Sequence, residues 1–355
     1  MRIRILIVLI FTTHLLHAQN PPIALEWSAF LPYGNAQGIY NRICLDGAQT
    51  AWMLRDDGAY EISTTDGVVR RYNANGLPMD GTYAYTNFDC GSLDAPIDFY
   101  FRNDSTWGLM TWQYIGGNQP ILYCLTTPGG GYSPQPILDD GLYQQATDLL
   151  VQGTDCTISA SYDSTFTAEH QRLTKVDVGG VVIWDRLYPT AQFNGFAALE
   201  NAPNGDIIVA DMPEVHVFSA TNGDLLNSFS AYTGAPTLKG DIKVWNNEIY
   251  WAATEGTMVY YGRTLLDGTP VWSDTIASSD ATRIAVDDQG RMWLIGTLSG
   301  QGVLSVIEAD GSLNGTWYYG ASLTDIQFGN SRIHITGAMD ATDPTTFLIS
   351  GTPDF

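Results

Sequence analysis

One polar position recurs at the start of several short apolar segments, and a carboxylate that repeats in this way could do chemistry. The occupants are Asp98 in PIDFYF, Asp148 in ATDLLV, Asp241 in KGDIKV and Asp325 in LTDIQF, with Asn41 in YNRICL and Arg283 in ATRIAV in two other copies. If the segments converge, these carboxylates could hold a divalent cation or orient a basic ligand. A carboxylate at a strand start more often accepts backbone N–H bonds. Recurrence favours this structural role, because folding needs the same residue in every repeat.

Other signatures of catalysis are missing from the sequence. It contains no GxSxG, HExxH or phosphate-loop motif, and spacing marks out no two acids as a glycosidase pair. The acidic segment Asp340 to Asp343 could ligate a structural calcium ion, although it lacks EF-hand spacing and a hairpin turn is favoured. We therefore predict no catalytic residue and no cofactor other than such a calcium ion.

The four cysteines, Cys44, Cys90, Cys124 and Cys156, all lie in the first half of the chain. Zinc ligation would need closer cysteine spacing or neighbouring histidines. In an oxidising compartment an even number of cysteines favours disulfides. Of the three pairings that four cysteines allow, we favour Cys44 with Cys90 and Cys124 with Cys156, because each would join neighbouring repeats.

Tryptophans mark a phrase that recurs about every 44 residues. Its copies centre on Trp184, Trp272 and Trp317, and one further copy, ALEWSAFL around Trp27, lies at the N-terminal end instead of after the last repeat. A second series consists of Trp52, Trp107, Trp251 and Trp293. Such aromatics could be sugar platforms, but at fixed places in a repeat they are better explained as filling gaps between sheets. Trp112 and Trp245 fall outside both series and are candidates for an exposed binding surface.

The elements that position these residues are short strands. In residues 281–322 apolar residues alternate over four segments, and Gly, Asp or Asn marks each junction, which indicates an antiparallel meander. Four strands per unit at this period predict a β-propeller. The fold class is all-β, a seven-bladed β-propeller of four-stranded antiparallel blades whose last blade is closed by the N-terminal strand. The predicted blades are 38–76, 94–140, 141–193, 194–234, 235–280, 281–322 and 323–355 plus 24–31. In the first blade VVRRYNANG is predicted to be the fourth strand, followed by an insertion over 77–93.

The repeat resembles a known superfamily. An Asp-Gly turn followed by an aromatic residue (Asp267, Gly268 and Trp272) and the phrase IAVDDQGRMWLIG carry the resemblance. They resemble secreted bacterial seven-bladed propellers of the PQQ-like and β-propeller-repeat superfamily. The resemblance implies a fold shared by dehydrogenases, lyases, glycosidases and binding proteins. The chain departs from the quinone-dependent dehydrogenases, since it has no residues matching their calcium and quinone site.

Residues 1–18 carry Arg2 and Arg4, an apolar run and Ala18, which predicts a cleaved signal peptide and a secreted single-domain protein over 19–355. The formal charge is −22, or about −24 once the two leader arginines are removed. This charge disfavours nucleic acid, and no segment is long enough for membrane insertion. We predict a non-catalytic scaffold that binds a protein or glycan in a surface complex, through loops of the first three blades. The alternative is a polysaccharide hydrolase or lyase that uses the recurring carboxylates.

Overall fold

In the computed structural model the regular elements are β-strands. The structure describes residues 22–32, 42–46, 49–55, 67–79, 86–88, 94–103, 106–113, 121–126, 133–138, 143–163, 170–177, 180–189, 198–234, 240–277, 280–339 and 345–354. Within these ranges no residue is helical, which confirms the predicted all-β class. The predicted signal peptide, Asn41, Cys90 and Asp340 to Asp343 lie outside the described residues.

The described strands form seven antiparallel sheets of four strands each. Sheet 1 contains β2 (Arg42–Asp46), β3 (Gln49–Arg55), β4 (Gly67–Tyr72) and β5 (Thr86–Phe88). Sheet 2 contains β6 (Asp94–Asn103), β7 (Thr106–Gln113), β8 (Ile121–Thr126) and β9 (Ser133–Leu138). Sheet 3 contains β10 (Tyr143–Gln152), β11 (Asp155–Asp163), β12 (His170–Val176) and β13 (Val182–Pro189). Sheet 4 contains β14 (Ala198–Asn201), β15 (Ile207–Asp211), β16 (Glu214–Phe218) and β17 (Leu225–Ser230).

The remaining three sheets continue the same pattern. Sheet 5 contains β18 (Gly240–Trp245), β19 (Glu248–Glu255), β20 (Met258–Leu265) and β21 (Pro270–Ala277). Sheet 6 contains β22 (Asp280–Val286), β23 (Met292–Leu298), β24 (Gln301–Ile307) and β25 (Leu313–Tyr319). Sheet 7 contains β26 (Ser322–Gly329), β27 (Arg332–Ala338), β28 (Thr345–Pro353) and β1 (Ile23–Pro32).

The first strand of each sheet contacts the first strand of the next. The order of contact is β2, β6, β10, β14, β18, β22, β26 and back to β2. The first strands therefore surround a common axis, and the fourth strands lie at the periphery. The boundary between one sheet and the next is called a seam below.

The strand that completes sheet 7 comes from the other end of the chain. β1 pairs antiparallel with β28 from Ile23 opposite Pro353 to Pro32 opposite Thr345. This pairing covers the edge that β28 would otherwise expose. The predicted closure by the N-terminal strand is confirmed.

Sheet 1 differs from its predicted strand order. The segment predicted to be its fourth strand is the third, β4, and the fourth is β5, which lies inside the predicted insertion. After the turn at Asn73 to Gly76 the described residues form an isolated bridge between Tyr72 and Pro78. The prediction was wrong here because the extra residues follow that turn, whereas in sheets 3 to 6 the fourth strand starts directly after it.

Apolar side chains fill the seams. Buried clusters join sheets 3 and 4, 4 and 5, 5 and 6, 6 and 7, and 7 and 1. Trp251 and Trp293 lie on second strands and are almost completely buried. Burying an aromatic ring of this size removes 150–250 Å² from water, by the usual range. These tryptophans therefore fill the seams.

At the periphery, an aromatic residue of one sheet packs over a glycine in the turn between the third and fourth strands of the next. A Cβ added to Gly223 would lie 2.7 Å from the Trp184 ring, and at Gly223 φ is +73°. Only glycine combines this backbone with so close an approach. The same arrangement pairs Phe229 with Gly268, Trp272 with Gly311, and Trp27 with Gly76.

Candidate functional site

The recurring aspartates join neighbouring first strands near the axis. The carboxylates of Asp148, Asp241 and Asp325 each accept a hydrogen bond from a backbone N–H of the next sheet, and these three residues are more than nine-tenths buried. The bonds run from Leu199 N to Asp148 Oδ2 at 2.6 Å, from Ile284 N to Asp241 Oδ2 at 2.8 Å, and from Ile43 N to Asp325 Oδ2 at 2.7 Å. The position that these aspartates occupy is called the latch position below.

A β-bulge precedes the latch position in four first strands. The pairing register shifts between Pro96 and Asp98, Ala146 and Asp148, Ala281 and Arg283, and Leu323 and Asp325. A bulge inserts one unpaired residue and reorients the side chain that follows it. Asp148 and Asp325 bind the next sheet directly after such a bulge, whereas Asp241 on β18 does so without one. The alternating sequence pattern gave no sign of these bulges.

The latch position is not occupied uniformly. Since the N–H groups that bind the carboxylates belong to Ile43, Leu199 and Ile284, the latch residues of their own sheets are the preceding ones, Arg42, Ala198 and Arg283. In sheet 1 this alignment puts Arg42 at the latch position, and Asn41, which was predicted for it, lies outside the described residues. Asp98 lies on β6 after its bulge, and its side chain is outside the described part of the structure.

Charged side chains join the latch residues in the same region. Arg283 Nη1 lies 3.5 Å from Asp241 Oδ1, across the seam between sheets 5 and 6. Lys243 Nζ lies 2.5 Å from Glu200 Oε1, across the seam between sheets 4 and 5. Both partners of the second pair stand two residues beyond a latch position and are still partly accessible, with 26 % and 20 % of their side chains exposed. Near the axis, these seams are therefore held by charge as well as by backbone hydrogen bonds.

The protonation of this cluster follows from its burial. Burial raises the pKa of Asp325, and the cations of Arg42, Arg283 and Lys243 partly offset this. Burial also raises the pKa of Glu200, against the effect of Lys243. Burial lowers the pKa of Lys243, but Glu200 and Asp241 outweigh it, and the net direction is upward. One network thus couples side chains from five sheets.

This geometry limits the chemistry of the recurring carboxylates. Both oxygens of Asp241 and Asp325 accept backbone N–H bonds, because Ile242 N and Ile326 N donate to their Oδ1 atoms at 2.9 Å. Carboxylates engaged in this way hold strands together. Glu200, whose raised pKa suits proton transfer, is the carboxyl here that could act as an acid. Sequence reasoning missed Glu200 and Lys243, although each interrupts an apolar strand with a charge at an inward-facing place.

Trp245 and Trp112 were predicted to be exposed binding residues. Trp245 is half-buried at the end of β18, where it packs against Gly290 and makes an edge contact with Tyr250 at 6.3 Å. That packing between sheets 5 and 6 accounts for Trp245 without a ligand. Trp112 lies on β7, and its side chain is outside the described part of the structure.

The structure describes the side chains of two of the four cysteines. Cys44 on β2 and Cys156 on β11 are buried. Cys90 lies outside the described residues, as does the side chain of Cys124 on β8. The pairings Cys44 with Cys90 and Cys124 with Cys156 therefore stay predictions.

The described ranges contain neither a cluster of metal-ligating side chains nor a membrane-spanning helix. No three His, Cys, Asp or Glu side chains there come together in a way that could hold a metal ion. No helix there is long and apolar enough to cross a membrane.

Known proteins resemble this chain in structure rather than in sequence. No family model and no curated protein matches the sequence. A virginiamycin B lyase from Staphylococcus aureus, solved in an inactive form with quinupristin, has a TM-score of 0.60 at 10% identity, over 91% of this chain and 99% of that one. A chain of a mitotic checkpoint complex gives 0.58 at 10%, over 96% and 98%. YCF48 bound to D1 peptide gives 0.56 at 11%, over 94% and 100%.

This chain has the β-propeller fold. At such low identity the likeness shows the fold alone. In a propeller the four-stranded sheets are blades and their first strands line a central channel. The latch residues, Glu200 and Lys243 thus belong to the channel, and the aromatic and glycine contacts belong to the rim.

Proposed function

We propose that this chain is a secreted, non-catalytic, seven-bladed β-propeller that serves as a binding or scaffold subunit for a protein or glycan partner. The ring of contacts between first strands and the closing pair of β1 with β28 support a single seven-bladed ring. The fold supports a binding role because rigid scaffolds place recognition on their loops. The segments of blades one to three that we predict to bind, within 77–93, 116–120 and 128–136, lie mostly outside the described residues.

One observation carries the non-catalytic assignment. Asp148, Asp241 and Asp325 are buried and bound to backbone N–H groups of the next blade. A carboxylate that abstracted a proton or attacked a substrate would have to leave these bonds, and a buried N–H without a partner costs about 1–3 kcal/mol. Their recurrence is explained by the joining of blades.

The similar structures favour protein over glycan as the class of partner. YCF48 was solved with a bound peptide, and another neighbour is a chain of a protein complex. The net charge of −22 would favour a partner with a basic surface through long-range attraction.

Affinity isolation of the tagged native protein from its source tests the proposal. We expect a stoichiometric partner that withstands moderate salt and is lost when the segment 77–85, between Tyr72 and β5, is replaced by a short Gly-Ser linker. A matched variant with the exposed Asn246 and Asn247 turn changed to Asp-Gly should keep the partner. A monomer that never co-purifies with another molecule would contradict the scaffold role.

The alternative is a polysaccharide hydrolase or lyase, and the observation that favours it is Glu200. This carboxyl has a raised pKa, faces the channel and remains partly accessible, as a general acid would. Turnover of a polysaccharide that is lost in Glu200→Gln, with the melting temperature unchanged, would establish the alternative. Equal loss in Asp148→Ala together with a lowered melting temperature would indicate damage to the fold instead.

Secretion is tested by the mass of the exported protein. We expect the mature chain to begin at Gln19, after cleavage of the predicted leader. An N-terminus that retains Met1 in the exported fraction would contradict this.

A further inference from the structure

The seam between blade 7 and blade 1, called the closure seam, is the place where the two ends of the chain meet. Trp27 of β1 stacks on Tyr72 of β4 with ring centroids 5.7 Å apart and covers Gly76. Two rim contacts at other seams, those of Trp184 and Trp272, look alike but carry one more hydrogen bond. Trp184 Nε1 donates to Ala220 O at 3.2 Å, and Trp272 Nε1 donates to Ala309 O at 3.1 Å. Trp27 Nε1 is buried and has no such partner.

At the closure seam an arginine, instead of the indole, donates a hydrogen bond to a backbone carbonyl of the neighbouring blade. Arg332 Nη1 donates to Ala74 O at 3.1 Å, in the turn that Trp27 covers. Its Nε lies 2.6 Å from Glu26 Oε2, on the bulge of β1. This one cation therefore links β27 both to the N-terminal strand and to blade 1. The closure seam depends on charge where the other two depend on an indole hydrogen bond.

A histidine lies beneath this contact. His334 is 3 % exposed and stands opposite Ser350 on β28 and Gln327 on β26, in the row that Trp27 completes on β1. Its ring centroid is 6.1 Å from that of Trp27. The charged or titratable residues that share this seam by register are Arg332 on β27, Asp325 on β26, Glu26 on β1, Arg42 on β2, Tyr72 on β4, and Arg70 on β4, whose side chain is outside the described part.

We propose that the closure seam is an acid-sensitive switch, in which protonation of His334 beside Arg332 loosens the N-terminal strand β1 and opens the ring. Protonated His334 would be a second cation in the buried space between β1 and blade 1. It would lie next to the guanidinium of Arg332, which joins them. The release of β1 removes the burial and lets the imidazolium be hydrated.

The direction of the pH effect supports this role. Burial lowers the pKa of His334 to about 4, Arg332 adds to the effect, and a backbone hydrogen bond to Gly329 opposes it. A released strand would restore an ordinary histidine pKa of about 6.5. The open state therefore binds more protons between these values, and stability of the seam is lost as the pH falls through that window. Asp325 has the opposite sign, because its raised pKa favours the closed state on acidification.

Hydrogen exchange of the intact protein tests whether the closure seam is this acid-sensitive switch. Between pH 7.5 and pH 5.0, exchange of the peptide 23–32, corrected for intrinsic rates, should rise on the order of ten-fold more than exchange of 207–218 in blade 4. His334→Gln should remove this excess. His216→Gln is the matched control, since His216 is a partly buried histidine at the seam between blades 3 and 4, and it should keep the excess.

Three results would overturn the proposal. They are no faster exchange in β1, an equal rise in every strand, and an excess that persists in His334→Gln. If that variant fails to fold, NMR titration of the wild-type histidines decides instead. His334 must stay neutral until β1 begins to exchange. Titration of His334 near the ordinary histidine pKa while the ring is still closed would reject the switch.

Discussion

The channel end and the rim end of a seam are held by different chemistry. At the channel, a buried carboxylate of one blade accepts the backbone N–H of the next. At the rim, an aromatic ring of one blade covers a turn glycine of the next. The first contact stabilises the seam because a buried N–H and a buried carboxylate form a hydrogen bond away from water. The second stabilises it because the ring fits closely over the glycine. Both recur from blade to blade, so both are part of the repeat.

The two ends differ in how much variation they contain. At the rim, Trp184, Phe229, Trp272 and Trp27 all meet a glycine with positive φ. At the channel, the latch position changes from Asp148 to Ala198 and Arg283, and Glu200 and Lys243 add a pair that the other described blades do not share by register. The difference teaches that the rim repeats one packing of an aromatic ring on a glycine, whereas charge in the channel distinguishes one blade from another.

Removing a rim aromatic should have the largest effect on stability. Trp184→Ala deletes a ring that is 94 % buried over Gly223, together with its hydrogen bond to Ala220 O. We expect a loss of about 3–5 kcal/mol in the free energy of unfolding, from lost burial and the cavity. Urea denaturation measures it. Ile183→Ala on the same strand, 47 % exposed, should change it by less than about 0.5 kcal/mol. Equal losses in both variants would mean that the ring contact is not what holds the rim.

Removing a channel latch should cost somewhat less. Asp241→Ala leaves Ile242 N–H and Ile284 N–H without acceptors and takes a carboxylate from Arg283. We expect a loss of about 3 kcal/mol from these buried groups, and a smaller loss in Asp241→Asn, which keeps one acceptor oxygen. The exposed Asp274→Ala in the same blade is the control. If Asp241→Asn proved as damaging as Asp241→Ala, charge rather than N–H acceptance would dominate the latch.

Two glycines of blade 4 separate backbone strain from shape at the rim. Gly223 and Gly205 both have positive φ, but a Cβ would strike Trp184 at Gly223 and would meet nothing within 4 Å at Gly205. We expect Gly205→Ala to cost about 1 kcal/mol, from the left-handed backbone alone, and Gly223→Ala about 2 kcal/mol, with the clash added. Thermal unfolding of the pair gives the difference. Equal costs would show that the glycine is kept for its backbone and not for the ring that covers it.

The rim was the easier end to predict from sequence, for a physical reason. Its contact needs a particular residue type on each side, and so Asp267, Gly268 and Trp272 leave a visible phrase. The displaced copy around Trp27 located the closing strand correctly because β1 has to complete the same packing. Local chemistry that recurs at a fixed period can be recognised without knowledge of the structure.

The channel was harder, because its contacts join residues far apart in the chain. The aspartates could be aligned, but the sequence pattern did not indicate Arg42, which the hydrogen bond of Ile43 N to Asp325 puts at the latch position of sheet 1. Near a bulge, alternation no longer fixes which side chain faces the seam. The pair of Glu200 and Lys243 left no motif, since it occurs once and spans two blades. In blade 1, β5 was missed because an insertion separates it from the turn that usually precedes it.

The pair of Glu200 and Lys243 gives the smallest expected effect and the sharpest test of the channel. Replacing both residues, as Glu200→Gln with Lys243→Met, should change the free energy of unfolding by only about 1 kcal/mol, because a buried ion pair gains little over a neutral replacement. Lys243→Met alone should be worse, since burial already raises the pKa of Glu200 and the opposing cation is gone. A raised folded pKa stabilises the fold below the unfolded value, and this contribution is lost as the pH rises through the folded pKa. Urea titrations of Lys243→Met should therefore show stability falling with rising pH, and adding Glu200→Gln should abolish the slope. A slope that remained in the double variant would belong to another channel carboxyl such as Asp325, whose pKa burial also raises, and Glu200 and Lys243 would then not act as a separate pair.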